Sequence, residues 1–346
     1  MNDQPKIGKD RKDVVSAWPR DIPRVAVLIV NYNAGEMLLD CLTHVSRQTW
    51  PSMRVIVLDN DSGDGSLELA EQHFPQYDYV RLRHNSGFAV ANNRGIALAE
   101  DCEWIACLNP DAFPAATWLE NLMLASQCYP QFDFFGSLMM SADEPDRLDG
   151  TGDIYHVSGA AWRANFHAIF SMISNDWSEV KEIFGPCAAA ALYRRNQLVA
   201  LGGFDERFFC YFEDVDLAFR LRLQGFRSAY VPQAVVRHKG SAITGYQSDF
   251  TVYHGHRNLE WTFFKNMPTT LLWIYLPQHL FLMIASVLTY TLRGKVRVIL
   301  RAKRDALLGL PGIFRQRRQN VRISWRASSA LRRSMSHGLL TPYFYR

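Results

Sequence analysis

The stretch from Val25 to Asn109 alternates between two hydrophobic periods, and this constrains the fold more than any other feature. "VAVLIVN", "RVIVLD", "YVRLRH" and "WIACLN" are runs of strand length. Between them lie "MLLDCLTHVSRQ", "SLELAEQHF" and "FAVANNRGIALAE", which carry helical spacing. Such alternation predicts parallel βαβ units with helices on both faces of one sheet. Right-handed crossovers put all four strand C-termini on one side, so the loops "NYNAGE", "DNDSGDG", "HNSGFA" and "NPDAF" converge on one crevice. In open α/β sheets that rim is where ligands bind.

Further along, "FDFFGSLMM" reads as a strand and 141–158 as a polar, glycine-containing loop. "PCAAAALYRR" leads into a helix, "RNQLVALGG". "EDVDLAFRLRLQG" is an amphipathic helix with Val215, Phe219 and Leu223 on one face. "FRSAYVP" and "AVVRH" read as two short strands.

Charge is unevenly spread. From Arg293 to Arg346 there are 14 Lys/Arg against one acid, Asp305, whereas the remainder holds 24 basic and 33 acidic residues. A basic tail on an acidic body points to an anionic partner. Just before it, Asn266 to Leu292 is a run of 27 residues without Asp, Glu, Lys or Arg. That run exceeds the roughly 20 apolar residues of a membrane span. Pro277 interrupts it, so the expectation is a helix or helical hairpin lying in one leaflet, followed by a basic amphipathic helix on anionic headgroups. The competing reading is a packed helix with a solvated basic face. Nucleic acid fits poorly, because the basic residues adjoin an apolar run and do not interleave with exposed aromatics.

Residues 1–22 are polar and read as a disordered leader without the apolar core of a secretory signal. The six cysteines are scattered with no Cys-x-x-Cys pair, which fits a reduced, cytoplasmic protein. The expected division is 1–22 leader, 23–245 α/β domain and 246–346 helical, membrane-associating region, with a cut near Asn266 leaving a soluble catalytic domain.

Five motifs carry chemistry, each weak alone. Asp59 closes the second strand and has the chemistry to accept from a base or a ribose hydroxyl, or to cap the next helix. Gly87 and Gly95 flank a helix start, and Asn92 and Asn93 lie on that helix. Asp111 follows the strand-ending Pro110 and suits a divalent cation, since Mg²⁺ commonly takes one or two carboxylates plus phosphate oxygens. Asp214 stands beside Glu213 at a helix N-terminus and suits a general base. His238 ends a short strand and has the chemistry of a metal ligand, or of a structural histidine.

Taken together, "VAVLIVNYN", "VIVLDNDSGDGS", "HNSGFAVANNRGI", "LNPDAF", "GGFDERFFCYFEDVDLAFRLRLQGF" and "VVRHKGSA" resemble the family 2 glycosyltransferases of the GT-A fold. The rhamnosyltransferase-like group of cell-surface polysaccharide assembly is the nearest match. The resemblance covers about Val25 to Thr244. It implies a Rossmann-like, mainly parallel sheet and an inverting transfer from a nucleotide sugar, dTDP-L-rhamnose first and a UDP-hexose as alternative. The implied acceptor is a saccharide on polyprenyl diphosphate, and the implied location is the cytoplasmic face of the membrane. Tyr32, Asn33 and Asp59 would hold the base, with Gly87 and Asn92 at the ribose and diphosphate. Asp111 matches the last Asp of the family's Asp-x-Asp motif, whose first Asp is here Asn109, either a weakened ligand or a ribose contact. Asp111 and His238 would hold Mg²⁺ or Mn²⁺, and Asp214 would be the base. Gly185, Cys187 and Ala188 would admit the donor sugar, and "FFCYF" would shape the acceptor pocket. Apart from the resemblance, His256, Arg257 and Lys265 stand just before the apolar run, either as contacts for the acceptor's diphosphate or as solvated helix-surface residues. A nucleotidyltransferase would want a basic, Gly-rich triphosphate loop that "VNYNAGEML" lacks. A non-catalytic scaffold would not need Asp111, Asp214 and His238 together.

Overall fold

The computed structural model describes residues 22–173, 177–240, 245, 247–320, 325–338 and 341–344. The expected leader, 1–22, lies outside them apart from Ile22.

The four expected strands form as β1 (Val25–Asn31), β2 (Met53–Asp59), β3 (Asp78–Arg81) and β4 (Trp104–Leu108). They alternate with α1 (Glu36–Val45), α2 (Ser66–His73) and α3 (Gly87–Leu98). β1 pairs in parallel with β2 and β4, and β2 with β3. All seven β1 residues are buried, and alternate ones serve different cores. Val25, Val27 and Ile29 join Leu38, Leu42, Trp118 and Leu122. Ala26, Leu28 and Val30 join Ile96, Phe219, Phe263 and Tyr275. A continuous apolar strand is what a sheet covered on both faces requires.

Next come β5 (Ala112–Pro114), α4 (Trp118–Cys128), β6 (Phe134–Ser141), β7 (Leu148–Gly150), β8 (Asp153–Tyr155), β9 (Ala161–Arg163), β10 (Lys181–Ile183), β11 (Ala190–Arg194), α5 (Arg195–Ala200), α6 (Glu213–Leu223) and β12 (Ser228–His238). The main sheet runs β10-β12-β6-β11-β4-β1-β2-β3, with β5 on β12 and β7 on β6. β11 is antiparallel to β4 and β6, while β12 and β6 are parallel. The result is a mainly parallel α/β sheet with flanking helices.

Three expectations change. The loop expected over 141–158 contains the short strands β7 and β8. The two strands expected near the end are one, β12, whose register shifts between Val231 and Val235. Pro232 has no N–H for the ladder, so the chain bulges there and resumes. Finally, α6 is buried almost all round, with Arg220 and Arg222 as well as its apolar face inside.

The C-terminal region is helical: α7 (Asp249–Asn266), α8 (Thr269–Leu292), α9 (Val296–Asn320) and α10 (Trp325–Ser334). α8 runs as one helix through Pro277, not as a hairpin. Phe263, Met267, Leu271, Leu272 and Tyr275 enter the same core as Leu28 and Phe219, so this region completes the α/β domain. Lys265 is not a surface cation: it is buried and pairs with Asp205 at 2.6 Å and Asp216 at 2.8 Å. Arg257 is spent on backbone carbonyls of 207 and 208, and His256 is largely buried with its pKa pushed down to about 3 by burial. None of the three stands ready for a diphosphate.

Candidate active site

The C-terminal rim is built from asparagines and aspartates that tie the loops to one another. Asn31 is fully buried and donates to Asp59 at 2.8 Å and to Ser66 at 2.9 Å. The second Asp59 oxygen accepts from the Ser62 N–H at 3.0 Å. Asn60 donates to the Gly87 carbonyl at 3.1 Å and accepts from the Ser86 N–H at 2.9 Å. Gly87 has φ 87°, and a Cβ there would sit 2.6 Å from Phe209, so only glycine fits.

These loops surround a cavity of about 650 Å³, within the usual range for small-ligand sites. Of the expected residues, Tyr32, Gly87, Asn109, Asp111, Asp214 and His238 line it, as do Cys187 and Ala188. Asn33, Asp59 and Asn92 do not. Asn33 instead accepts from the Gly63 N–H at 2.9 Å, and Asn92 is buried against the Phe88 carbonyl at 3.0 Å. Gly185 is small for another reason: a Cβ there would meet Ala218 at 2.4 Å.

On one wall, the turn after β4 and the end of β12 meet. The Asp111 carbonyl accepts from the Lys239 N–H at 3.0 Å, and Asp111 Oδ1 lies 3.3 Å from His238 Nε2. His238 Nδ1 is 2.7 Å from Asp149 Oδ2, and Asp149 also pairs with Arg163. Burial works against a charged His238, but Asp111 and Asp149 hold its pKa up at about 9. The positive charge those carboxylates favour is the imidazolium proton, which a divalent cation bound at this pair would displace. The carboxylate behind the imidazole is the usual arrangement for a metal-binding histidine. Among the described residues no three such side chains converge as a complete cage. The pair suits a cation that takes its other ligands from phosphate and water.

Across the cavity, Asp214 opens α6. Its Oδ1 accepts from the Val215 N–H at 2.8 Å and its Oδ2 from the Ala188 N–H at 3.1 Å. Burial outweighs these bonds and raises its pKa above the ordinary aspartate value. Its neighbour Glu213 is more strongly raised, by burial and then by the Asp214 charge. Phe209, Cys210, Tyr211 and Phe212 line a mostly aromatic wall with Phe250 of α7, while Phe208 of the same run is buried in the core.

Among the lining residues that were not singled out in the sequence are Asn60, Asp153, Trp162 and Arg163. The last three come from β8 and β9, too short to show a period. Arg163 is the cation on this wall, and its charge is shared by Asp149, Asp153 and Asp214.

The family model for Glycosyl transferase family 2 matches residues 26–198. The chain belongs to that family. Within this family 2 glycosyltransferase the match covers the rim loops and the Asp111 turn, and stops before α6.

Two relatives are named as rhamnosyltransferases. N-acetylglucosaminyl-diphospho-decaprenol L-rhamnosyltransferase of Mycobacterium tuberculosis is 31% identical over 241 residues, 63% of this chain and 77% of its own length. Rhamnosyltransferase WbbL of Escherichia coli K12 is 28% identical over 224 residues, 60% of this chain and 80% of its own. The protein is accordingly a rhamnosyltransferase-like family 2 enzyme. The fold is GT-A. Mannosyltransferase PcManGT from Pyrobaculum calidifontis, solved with GDP-Man and Mn²⁺, superposes with TM-score 0.52 at 16% identity over 91% of this chain and 87% of its own. GalNAc-T7, solved with UDP, GalNAc and Mn²⁺, gives 0.57 at 14% identity, covering 71% of this chain and 48% of that one.

Proposed function

We propose that this enzyme is an inverting rhamnosyltransferase. It moves L-rhamnose from dTDP-L-rhamnose to a saccharide carried on polyprenyl diphosphate, at the cytoplasmic face of the membrane, in cell-surface polysaccharide synthesis. The observation that carries this reading is the placing of Asp214 and the Asp111–His238 pair in the lining of one cavity. The two rhamnosyltransferase relatives support the donor, and the name of the first supports the lipid-linked acceptor.

Asp214, raised by burial, takes the proton of the acceptor hydroxyl. That oxygen attacks C1 of the sugar as the bond to the diphosphate breaks, and the anomeric configuration inverts. Asp111 and His238 are the residues that would hold Mg²⁺ or Mn²⁺, which when bound neutralises charge on the departing diphosphate. Asn109, beside them, takes the ribose or the cation. Tyr32 and Asn60 form the nucleoside end of the cavity, with Asn33 and Asp59 fixing that loop from behind. Asn92 holds the start of α3 beneath the Gly87 turn, where the diphosphate lies.

The C-terminal helices serve membrane docking. α8 is long and apolar enough to cross a bilayer, yet its inner face is committed to the protein. His279 Nδ1 donates to the Ser158 carbonyl at 2.8 Å, and its Nε2 is 2.6 Å from Glu260. A transmembrane position would place those groups in hydrocarbon. A peripheral position places only the outer face there: Trp273, Ile274, Phe281, Ile284, Leu288 and Leu292 are exposed. α9 packs its other side on α7, where Lys303 pairs with Glu260 and Trp261 donates to the Ala306 carbonyl. Its exposed Leu300, Leu307 and Leu308 join the apolar surface and its outer arginines meet anionic headgroups. Residues 23–245 and 246–346 then differ in role while sharing one core.

The test is a panel of nucleotide sugars, dTDP-L-rhamnose beside UDP-glucose, UDP-galactose and UDP-N-acetylglucosamine, with and without added metal. The acceptor is N-acetylglucosaminyl diphosphate on a short polyprenol, and NMR reads the new anomeric centre. Metal-dependent transfer from dTDP-L-rhamnose with inversion is expected. Transfer from a UDP-hexose alone overturns the donor, and retention overturns the mechanism.

A further inference from the structure

The aromatic loop that leads into Asp214 has an unusual backbone. Phe209 has φ 65° and ψ −66°, and the Cys210 N–H donates to the Phe208 carbonyl at 2.8 Å. This is the γ-turn of positive φ, the rare and strained form. Tyr211 and Phe212 follow at φ 68° and 66°, left-handed positions that bulky aromatic residues seldom occupy. Strained backbone persists only where its surroundings over-determine it, and it concentrates at functional sites.

Those surroundings come mainly from two adjacent residues of α7. Asn258 is fully buried, and its side-chain amide nitrogen donates to three carbonyls: Phe208 at 2.9 Å, Cys210 at 2.9 Å and Tyr211 at 2.7 Å. Arg257 Nη2 donates to the carbonyls of Arg207 at 3.2 Å and Phe208 at 3.0 Å. Arg257 Nε also donates to Asn258 Oδ1 at 2.9 Å, which fixes the amide with its nitrogen towards the loop. The Phe209 carbonyl alone turns the other way, to accept from the Phe88 N–H at 2.7 Å at the start of α3. The loop is therefore pinned between the nucleotide side of the cavity and α7.

We propose that Asn258, supported by Arg257, is a positioning residue for sugar transfer: it holds the loop 208–212, with Phe209, Tyr211 and Phe212 at positive φ, in the form that faces the aromatic wall into the cavity and sets Asp214. The proposal rests on the reading of Asp214 as the base. Asn258 touches neither donor nor acceptor and acts through the loop. A helix outside the matched family segment thereby governs the geometry of the reacting groups.

The experiment uses the full-length chain. Asn258→Ala removes all three donated bonds, and Arg257→Gln removes only the guanidinium bonds and carries the test if the first variant does not fold. Ile299→Ala, a fully buried α9 side chain outside this network, provides a variant of lowered stability for comparison. Three quantities are read: kcat for transfer, nucleotide affinity by calorimetry, and amide exchange over 208–214. For Asn258→Ala, kcat is expected to fall about 100-fold, the scale for displacing catalytic groups by about 1 Å, while nucleotide affinity changes little. Exchange over 208–214 quickens by about tenfold or more as the local opening becomes easier. Arg257→Gln moves the same quantities less, and Ile299→Ala lowers the melting temperature without moving them. An unchanged kcat with a loosened loop overturns the proposal, as does an equal fall in kcat for Ile299→Ala. The exchange measurement does not pass through the chemistry of Asp214, so turnover surviving in Asp214→Asn marks a failed base and not a failed support.

Discussion

Replacing Trp273, Phe281 and Leu288 together by serine tests the membrane reading at the point where the structure is most specific. The three lie along the outer face of α8 and are 67%, 59% and 60% exposed. Full burial of a large apolar side chain is worth roughly 1.5–3 kcal/mol, so the exposed part of each leaves roughly 1–2 kcal/mol for a bilayer to recover. The triple change removes roughly 3–5 kcal/mol of membrane affinity, two to four decades in the partition constant. Folding should hardly change, since substitutions at exposed positions typically cost about 0.5 kcal/mol or less. The assay is flotation with liposomes of mixed phosphatidylcholine and phosphatidylglycerol, at low salt and at 1 M salt, where the Debye length is about 3 Å. The full chain should float in both, because arginine attraction to headgroups is screened and apolar insertion is not. The triple variant should float weakly at low salt and not at all at high salt. Flotation of the variant equal to that of the full chain in high salt would refute the reasoning. So would a full chain that stays in the dense fraction.

Asp214→Asn should lower transfer by about 10²–10⁴-fold, the usual worth of a general base, with nucleotide binding retained in calorimetry. Because burial raises the Asp214 pKa, the acid limb of kcat against pH should lie above the ordinary aspartate value of about 3.9; activity falls as pH drops through it, since a protonated Asp214 cannot take a proton. Asp111→Ala should abolish metal-dependent nucleotide binding, and Asn109→Asp should tighten it. Asp149→Asn, which alters the carboxylate behind His238 that also pairs with Arg163, should weaken Mn²⁺ affinity by about 10–100-fold in a titration. A chain ending at Asn266 should not fold, against the expectation from sequence: it strips Glu260 of both His279 and Lys303, and breaking a buried pair costs roughly 3–5 kcal/mol. Loss of Leu271, Leu272 and Tyr275 adds to this, and a melting curve with no cooperative transition is the expected result.

The sheet was legible because β1, most of β2 and β4 are buried on both sides and the helices between them on one, so strand and helix runs separate from Val25 to Asn109; β3, at the sheet edge, is partly exposed. Asp111, Asp214 and His238 were legible because each stands where a strand ends or a helix begins, a place a motif can mark. Asp59 and Asn92 carry the same kind of mark, yet their polar atoms are consumed in fixing the loops, a difference that only the hydrogen bonds reveal. Asp149 and Arg163 escaped notice because neither sits in a periodic element and their meaning comes from His238, far along the chain. The "FFCYF" run gave the aromatic wall but hid its backbone, since nothing in phenylalanine or tyrosine asks for positive φ; the cause sits at Asn258, in a helix where His256, Arg257 and Glu260 stand close by and one more polar residue carries no mark.

The tail shows the same division between composition and partnership. A charge-free run from Asn266 to Leu292 gives a helix but no inner or outer side, because a helix apolar all round has no marked stripe. The side is chosen by Ser158 and Glu260, which hold His279, and by Arg332, which donates to the Tyr275 hydroxyl at 3.0 Å. Once those bonds fix the helix, Leu271, Leu272 and Tyr275 face the core, and Trp273, Phe281 and Leu288 keep more than half of their surface exposed on the other side. A soluble core helix would not leave such a stripe in water, and a spanning helix would not keep a histidine–carboxylate contact on its other side. The proposed half-immersion meets both demands. Under that proposal α7, which ends where α8 begins and carries Asn258, lies between the helices offered to the membrane and the loop before Asp214.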